Sequence, residues 1–186
     1  MACSNIEFTK KDDRVGVYPY ELTEREETLL QAFGMDGNSQ MLSFHAPHEA
    51  ISLNVNVYLL NENAEWVTIG GGGISIGTVR EPVDEISGMF TMQLNKDYSI
   101  DFIIFNGGSA SYTTEAVAPP SEIVASTKAF LTEFHEIEVN KEIPVAVMVY
   151  NSGTSMRSGS LEAYFEPELF SGMDYVQAVT LTFSDK

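Results

Sequence analysis

The chain has 186 residues, 44% of them hydrophobic, which is enough for one domain with a substantial core. Its 10 Lys and Arg residues against 27 Asp and Glu residues give a formal net charge of −17 at pH 7. Such a charge repels phosphate backbones, which argues against nucleic acid as a partner. The single cysteine excludes an intramolecular disulfide. No apolar run approaches the roughly 18 residues that span a bilayer, so no membrane span is predicted.

The first 13 residues are polar and lack a regular hydrophobic pattern, which predicts a tether ahead of one folded domain at residues 14–186. Ala2, Cys3, Ser4 and Asn5 have the order found where bacterial lipoproteins are cleaved and lipidated on cysteine. Cys3 is therefore the predicted lipid anchor if Met1 replaces an export segment, and the domain is then extracellular and membrane-anchored. The alternative is a cytoplasmic protein that begins Met-Ala-Cys.

The N-terminal part of the predicted domain contains a strand and a helix. Val15 and Val17 predict an opening strand, which Pro19 restricts to a sheet edge. Thr23 and Glu26 form a capping box, which predicts one short helix over residues 23–33.

The rest of the chain alternates between short apolar runs and turn clusters. The runs with a two-residue period lie at residues 53–59, 90–94, 100–104, 145–149 and 179–183. This period buries one face of a strand, and the frequent turns favour antiparallel neighbours. The predicted fold is mainly β, an antiparallel β-sandwich of jelly-roll-like or meander type.

Four segments show other patterns. Residues 103–105 and 145–150 are apolar on both faces, which predicts central strands. Residues 123–139 fit a helix or, in their second half, a strand, and the strand is favoured. Pro167 opens a helical turn predicted near residues 167–172, ahead of the last strand.

Two segments that contain glycines match patterns found in active sites, but the residues around them argue against both interpretations. Gly73, Ser75 and Gly77 match the Gly-x-Ser-x-Gly pattern of hydrolases, but the isoleucines that flank the serine are typical of a strand. We therefore assign no catalytic residue. The glycines at residues 70–73 lack the lysine of a phosphate loop, and a bulged turn between strands is predicted instead.

Two residue sets are candidates for binding. His45, His48 and Glu49 supply two imidazoles and a carboxylate, which zinc uses as ligands, although a loop with solvated histidines is the other interpretation. Trp66, Tyr164 and Phe165 lie near turn segments, where flat rings stack on sugars; core or rim packing is the alternative for them. No cofactor is predicted.

Four short motifs occur together along the chain: Glu65-Trp66 ahead of the glycines at 70–72, Glu142-Ile143-Pro144, Tyr164-Phe165-Glu166-Pro167-Glu168, and the closing segment 175–183. Together they resemble uncharacterised lipoproteins of Gram-positive gut bacteria, over most of residues 40–183. The resemblance implies an exported, membrane-tethered domain and carries no activity and no functional residues.

Two functions follow as expectations. The first is a non-enzymatic surface domain that binds an unidentified protein or glycan. The alternative is an extracellular hydrolase, of glycoside hydrolase or esterase type, which would use two carboxylates or a serine that the sequence does not identify.

Overall fold

The computed structural model describes residues 14–77, 85–154 and 159–186. Within these ranges the chain forms two five-stranded antiparallel sheets with one α-helix and two short 3-10 turns, which confirms the predicted mainly β, sandwich-like fold. None of the helices in these ranges combines the length and apolar character needed to cross a bilayer. The predicted tether and Cys3 lie outside the described residues.

The elements in chain order are β1 (Gly16–Pro19), α1 (Glu24–Ala32), β2 (Ser39–His45), β3 (Ser52–Leu60), β4 (Trp66–Ser75), β5 (Ser87–Leu94), β6 (Ile100–Phe105), β7 (Ser109–Thr113), β8 (Ala125–Phe130), β9 (Glu142–Asn151) and β10 (Tyr175–Ser184), with 3-10 turns at Glu162–Phe165 and Pro167–Phe170. Sheet A has the strand order β1-β2-β5-β6-β7, and sheet B has the order β4-β3-β10-β9-β8.

The first strand and the helix form where the sequence predicts them, because residues close together in the chain determine both. β1 is an edge strand of sheet A, as Pro19 requires. Helix α1 begins after Thr23, whose backbone N–H donates to Glu26 Oε2 at 2.7 Å, while the Glu26 N–H donates back to Thr23 Oγ1 at 3.4 Å. No residue of α1 is buried, so the helix adds little to the core.

Apolar side chains pack on both faces of sheet B. The inner face and sheet A enclose the main core, to which the alternating residues Val55, Phe102 and Phe183 contribute. The outer face carries a second cluster, which includes Val147 of β9 and Phe170 of the second 3-10 turn. Residues 159–173 contribute to this cluster from outside the sheet and are called the cover segment below.

The two predicted central strands both have neighbours on each side. β9 is buried on both faces, because the main core lies under one face and the outer cluster over the other. β6 lies between β5 and β7, but its residues alternate between buried and partly exposed, and Phe105 at its end is exposed. The predicted helical turn after Pro167 is the second 3-10 turn.

The assignment of residues 123–139 was wrong. The strand is β8, in the first half of this segment, and it pairs with β9. The second half contains only an isolated bridge, in which the backbone groups of His135 and Val17 exchange two hydrogen bonds of 2.8 Å. The alternation of acidic and apolar residues there therefore does not mark a strand.

The predicted turn at residues 70–73 was also wrong, because all four glycines lie inside β4. A bulge does occur there, opposite Val57 and Tyr58. A Cβ on Gly72 would lie 2.3 Å from the Tyr112 ring on β7, so this strand needs glycine where sheet A approaches it. Ser75 is the last residue of β4, which confirms its assignment to a strand.

Candidate functional site

An aromatic cluster joins the cover segment to the outer face of sheet B. The Trp66 ring stacks on Tyr164 with centroids 5.2 Å apart and an interplanar angle of 23°, and it contacts Phe170 edge-on at 6.1 Å. Its Nε1–H donates to the Tyr164 carbonyl at 2.9 Å. Aromatic contacts of this kind, with the indole N–H paired, are typical of stable packing.

Glu142, the first residue of β9, accepts hydrogen bonds from three hydroxyl groups beside this cluster. Tyr58 donates to Oε1 at 2.5 Å, Tyr164 donates to Oε2 at 2.6 Å, and Thr180 donates to Oε1 at 3.3 Å. These donors come from β3, the cover segment and β10. One carboxylate therefore links four parts of the chain.

Both tyrosines remain protonated, so each can donate a hydrogen bond from its hydroxyl group to Glu142. Burial, followed by the hydrogen bond to Glu142, raises the pKa of Tyr58 to about 12. The same two causes in the same order raise the pKa of Tyr164. The two phenols therefore stay protonated through the physiological pH range.

A surface cleft of about 400 Å³ opens next to Glu142. Phe165 is 63% exposed at this cleft, so a large part of its ring faces solvent. Lys141 forms an ion pair with Glu138. The lining side chains are His135, Glu136, Glu138, Lys141, Glu142, Ile143 and Phe165. The cleft thus offers carboxylates and one exposed aromatic ring.

A strip of small and polar residues runs across the outer face of sheet B from β4 to β10. Its members are Asn54, Asn56, Gly71, Gly73 and Thr182, called the polar strip below. Gly73 is paired with Asn54, and Asn54 with Thr182. Thr182 is in turn paired with Glu142, so the strip leads directly to the cleft.

The asparagines of the strip face away from the main core, because they alternate with the buried residues of β3. Asn54 is exposed and Asn56 partly exposed. Among the described residues, neither side chain makes a hydrogen bond, and the buried Thr182 Oγ1 also has no partner there. The asparagine amides of the strip therefore have hydrogen-bonding capacity that is open to a ligand, whereas the Thr182 hydroxyl is buried.

The structure brings the three predicted ligand-binding aromatics together. Tyr164 contacts Trp66 on one side and Phe165 on the other, with 5.2 Å between centroids in both pairs. Tyr164 is buried and Trp66 partly buried inside the outer cluster. Phe165 is the ring of this trio that is exposed and lines the cleft.

The predicted metal ligands are not brought together. His45 ends β2, and its Nε2 lies 3.4 Å from Glu85 Oε2. His48 and Glu49 are exposed in the loop that follows β2. Across the described ranges, no group of three or more His, Cys, Asp or Glu residues is arranged to hold a metal ion.

Sequence reasoning missed Glu142 and the polar strip. Residues 140–142 resemble an ordinary turn cluster, and the three hydroxyl partners of Glu142 lie far away in the sequence. Asn54 and Asn56 show only strand alternation. No family model, curated protein or solved structure matches the chain.

Proposed function

We propose that this protein is a non-enzymatic domain, presented outside the cell on a lipidated Cys3, that binds a glycan on the polar strip. The observation that carries the proposal is the pair Asn54 and Asn56, whose side chains lie on an open sheet face with no hydrogen-bond partner among the described residues. An unused polar surface of this kind is suited to a ligand with many hydroxyl groups.

The chemistry of the strip matches a sugar chain. Each asparagine amide has two N–H donors and a carbonyl acceptor, and each sugar hydroxyl can both donate and accept. Gly71 and Gly73 carry no side chains, so nothing projects from the sheet at these two positions beside the asparagines. An extended ligand can therefore lie across the strands.

A protein ligand fits the strip less well. The centre of a protein interface is generally rich in aromatic and other apolar side chains that are buried on binding. The polar strip has none, and the nearby rings of Trp66 and Tyr164 are already packed against each other. The glycan is therefore favoured over a protein partner.

The alternative function is an extracellular hydrolase, and its glycoside hydrolase form needs two free carboxyl groups that flank the scissile bond. The cleft holds Glu136, Glu138 and Glu142. Both oxygens of Glu142 accept hydroxyl hydrogen bonds, and Glu138 is paired with Lys141. This arrangement supports binding better than catalysis.

The test is calorimetric titration of the folded protein with a panel of neutral, cationic and anionic oligosaccharides. We expect the double variant Asn54→Ala/Asn56→Ala to lose about tenfold in affinity or more, which is about 1.4 kcal/mol. Asn63→Ala, at an exposed position in the turn after β3, is the matched control and should bind like the wild type.

Two results would overturn the proposal. The first is a folded wild-type protein that binds no member of the panel. The second is release of new reducing ends from the oligosaccharides, which would support the hydrolase instead.

The location is tested separately, by mass spectrometry of the protein purified from its native cells. We expect diacylglyceryl modification of Cys3, since a lipidated cysteine can hold an acidic domain at a membrane. An unmodified N-terminus in the cytosolic fraction would contradict the anchor and leave the glycan proposal to its own test.

A further inference from the structure

We infer that the glycan carries free amino groups, and that one protonated amine binds in the cleft between the carboxylates and Phe165 while the neighbouring sugars lie on the polar strip. This inference rests on the proposed function, because it names the class of glycan for the same surface.

The strip and the cleft form one continuous surface through Glu142. Gly73, Asn54, Thr182 and Glu142 lie side by side on four adjacent strands. Three strand spacings of about 4.8 Å give a path of roughly 14 Å. This path suits an oligosaccharide better than a single sugar ring.

The charge of the cleft selects a cation. Three of its lining side chains are carboxylates, against two basic ones, Lys141 and His135, and Lys141 is already paired with Glu138. Glu136 is exposed, and no basic side chain among the described residues forms an ion pair with it. The chain as a whole has a net charge of −17, so its field also attracts cations.

Phe165 adds a contact that is stronger for a cationic group than for a neutral or anionic one. An ammonium group over the face of an exposed aromatic ring is attracted by the ring quadrupole. Phe165 is 63% exposed and lies beside the carboxylates in the same cleft. Acidic glycans would be repelled here, and neutral glycans would leave the negative charge of the cleft unpaired.

The experiment compares two oligomers of equal length, a glucosamine tetramer and an N-acetylglucosamine tetramer, by calorimetry at mildly acidic pH. We expect the glucosamine oligomer to bind about tenfold more tightly or better, with most of this advantage lost at high salt. Glu136→Gln and Phe165→Ala should each reduce the advantage. Asn54→Ala should weaken the binding of both oligomers.

Glu62→Gln is the matched control, because Glu62 is an exposed acid in the turn after β3, at the opposite end of that strand from the position aligned with Glu142. It should keep the full preference for the amine. If it reduces the preference as much as Glu136→Gln does, the attraction is a general property of the acidic protein and the inference is overturned.

The remaining outcomes separate the two proposals. Equal affinity for both tetramers, or binding of other glycans only, would overturn the inference and leave the glycan-binding function standing. No binding of any glycan would overturn both. A tetralysine peptide that binds the cleft more tightly than the glucosamine tetramer would overturn the inference in favour of a basic protein partner.

Discussion

Glu142 determines how the outer face of sheet B is held, because its carboxylate is shared by hydroxyl groups from separate elements. Tyr58 is 84 residues away in sequence, Thr180 is 38 away and Tyr164 is 22 away. Local patterns carry no information about such contacts. The sequence therefore predicts a turn at Glu142 and gives no sign that the residue organises a site.

Replacing this carboxylate should destabilise the protein. A hydrogen bond to a charged group contributes about 1.5–3 kcal/mol, and in Glu142→Gln the amide nitrogen would face a hydroxyl donor. We expect a loss of about 2 kcal/mol in the free energy of unfolding, measured by urea denaturation. Glu138→Gln removes only an exposed ion pair and should cost less than about 1 kcal/mol. Equal effects for the two variants would contradict the role given to Glu142.

The hydroxyl groups around Glu142 should also make stability depend on alkaline pH. The pKa of Tyr58 is raised from 10.0 to about 12 in the folded protein. The raised pKa of Tyr58 therefore adds to the free energy of unfolding in full below pH 10, and this stabilisation is lost as the pH rises through about 12. The loss occurs because the unfolded chain releases the proton first. We expect the urea midpoint to fall over this window.

The variant Tyr58→Phe isolates this contribution. Its urea midpoint should fall less steeply than that of the wild type between pH 10 and pH 12. Part of the fall should remain, because burial also raises the pKa of Tyr175 to about 12. Identical slopes for the two proteins would show that Tyr58 titrates normally.

Elements with local signals could be predicted from the sequence, and elements formed by distant contacts could not. The capping box of α1 and the edge position of β1 are set by neighbouring residues, and both predictions are confirmed. β8 is a strand because it pairs with β9, while the described residues after it form a single backbone bridge to β1, between His135 and Val17. Tertiary pairing thus outweighs the local pattern in this segment.

The glycines of β4 also have a role that the local sequence does not reveal. A run of glycines in a sequence is typical of a turn or loop, yet here it lets β7 of the opposite sheet pack closely against the strand. Tyr112 lies against Gly72, stacks on Phe102 at 5.1 Å, and donates to the Gly73 carbonyl at 2.6 Å. The ring therefore has little freedom to move aside.

Gly72→Ala tests this packing. The added methyl group would lie 2.3 Å from the Tyr112 ring, and overpacking of this kind costs about 1–3 kcal/mol. We expect a loss in that range by chemical denaturation. Gly108→Ala is the matched control, since a Cβ there has no atom within 4 Å, and its stability should change by less than about 0.5 kcal/mol. A neutral Gly72→Ala would mean that the two sheets separate easily at this corner.

At the scale of the molecule, the two apolar clusters share sheet B but differ in what they enclose. The main core joins the sheets, whereas the outer cluster attaches the cover segment to β9 and β10. The cover segment also supplies Phe165 to the cleft. The candidate site therefore depends on an attachment that is separate from the packing of the sandwich, and the two should respond differently to mutation.

The single tryptophan makes this separation measurable. Trp66 lies in the outer cluster, so its fluorescence reports the cover segment, while far-UV circular dichroism reports the strands of both sheets. Phe102→Ala in the main core and Phe170→Ala in the outer cluster remove equal volumes from buried positions, 1% and 3% exposed. Truncations of this type generally cost about 3–5 kcal/mol.

In the wild type, we expect the fluorescence and dichroism transitions in urea to coincide, and in Phe102→Ala both should move together to lower concentrations. In Phe170→Ala the fluorescence transition should come first, because the cover segment detaches while the sandwich stays folded. Coincident transitions in Phe170→Ala would show one cooperative unit. Detachment would also remove Phe165 from the cleft, so the variant should lose its preference for the amino glycan in mild urea before its strands unfold.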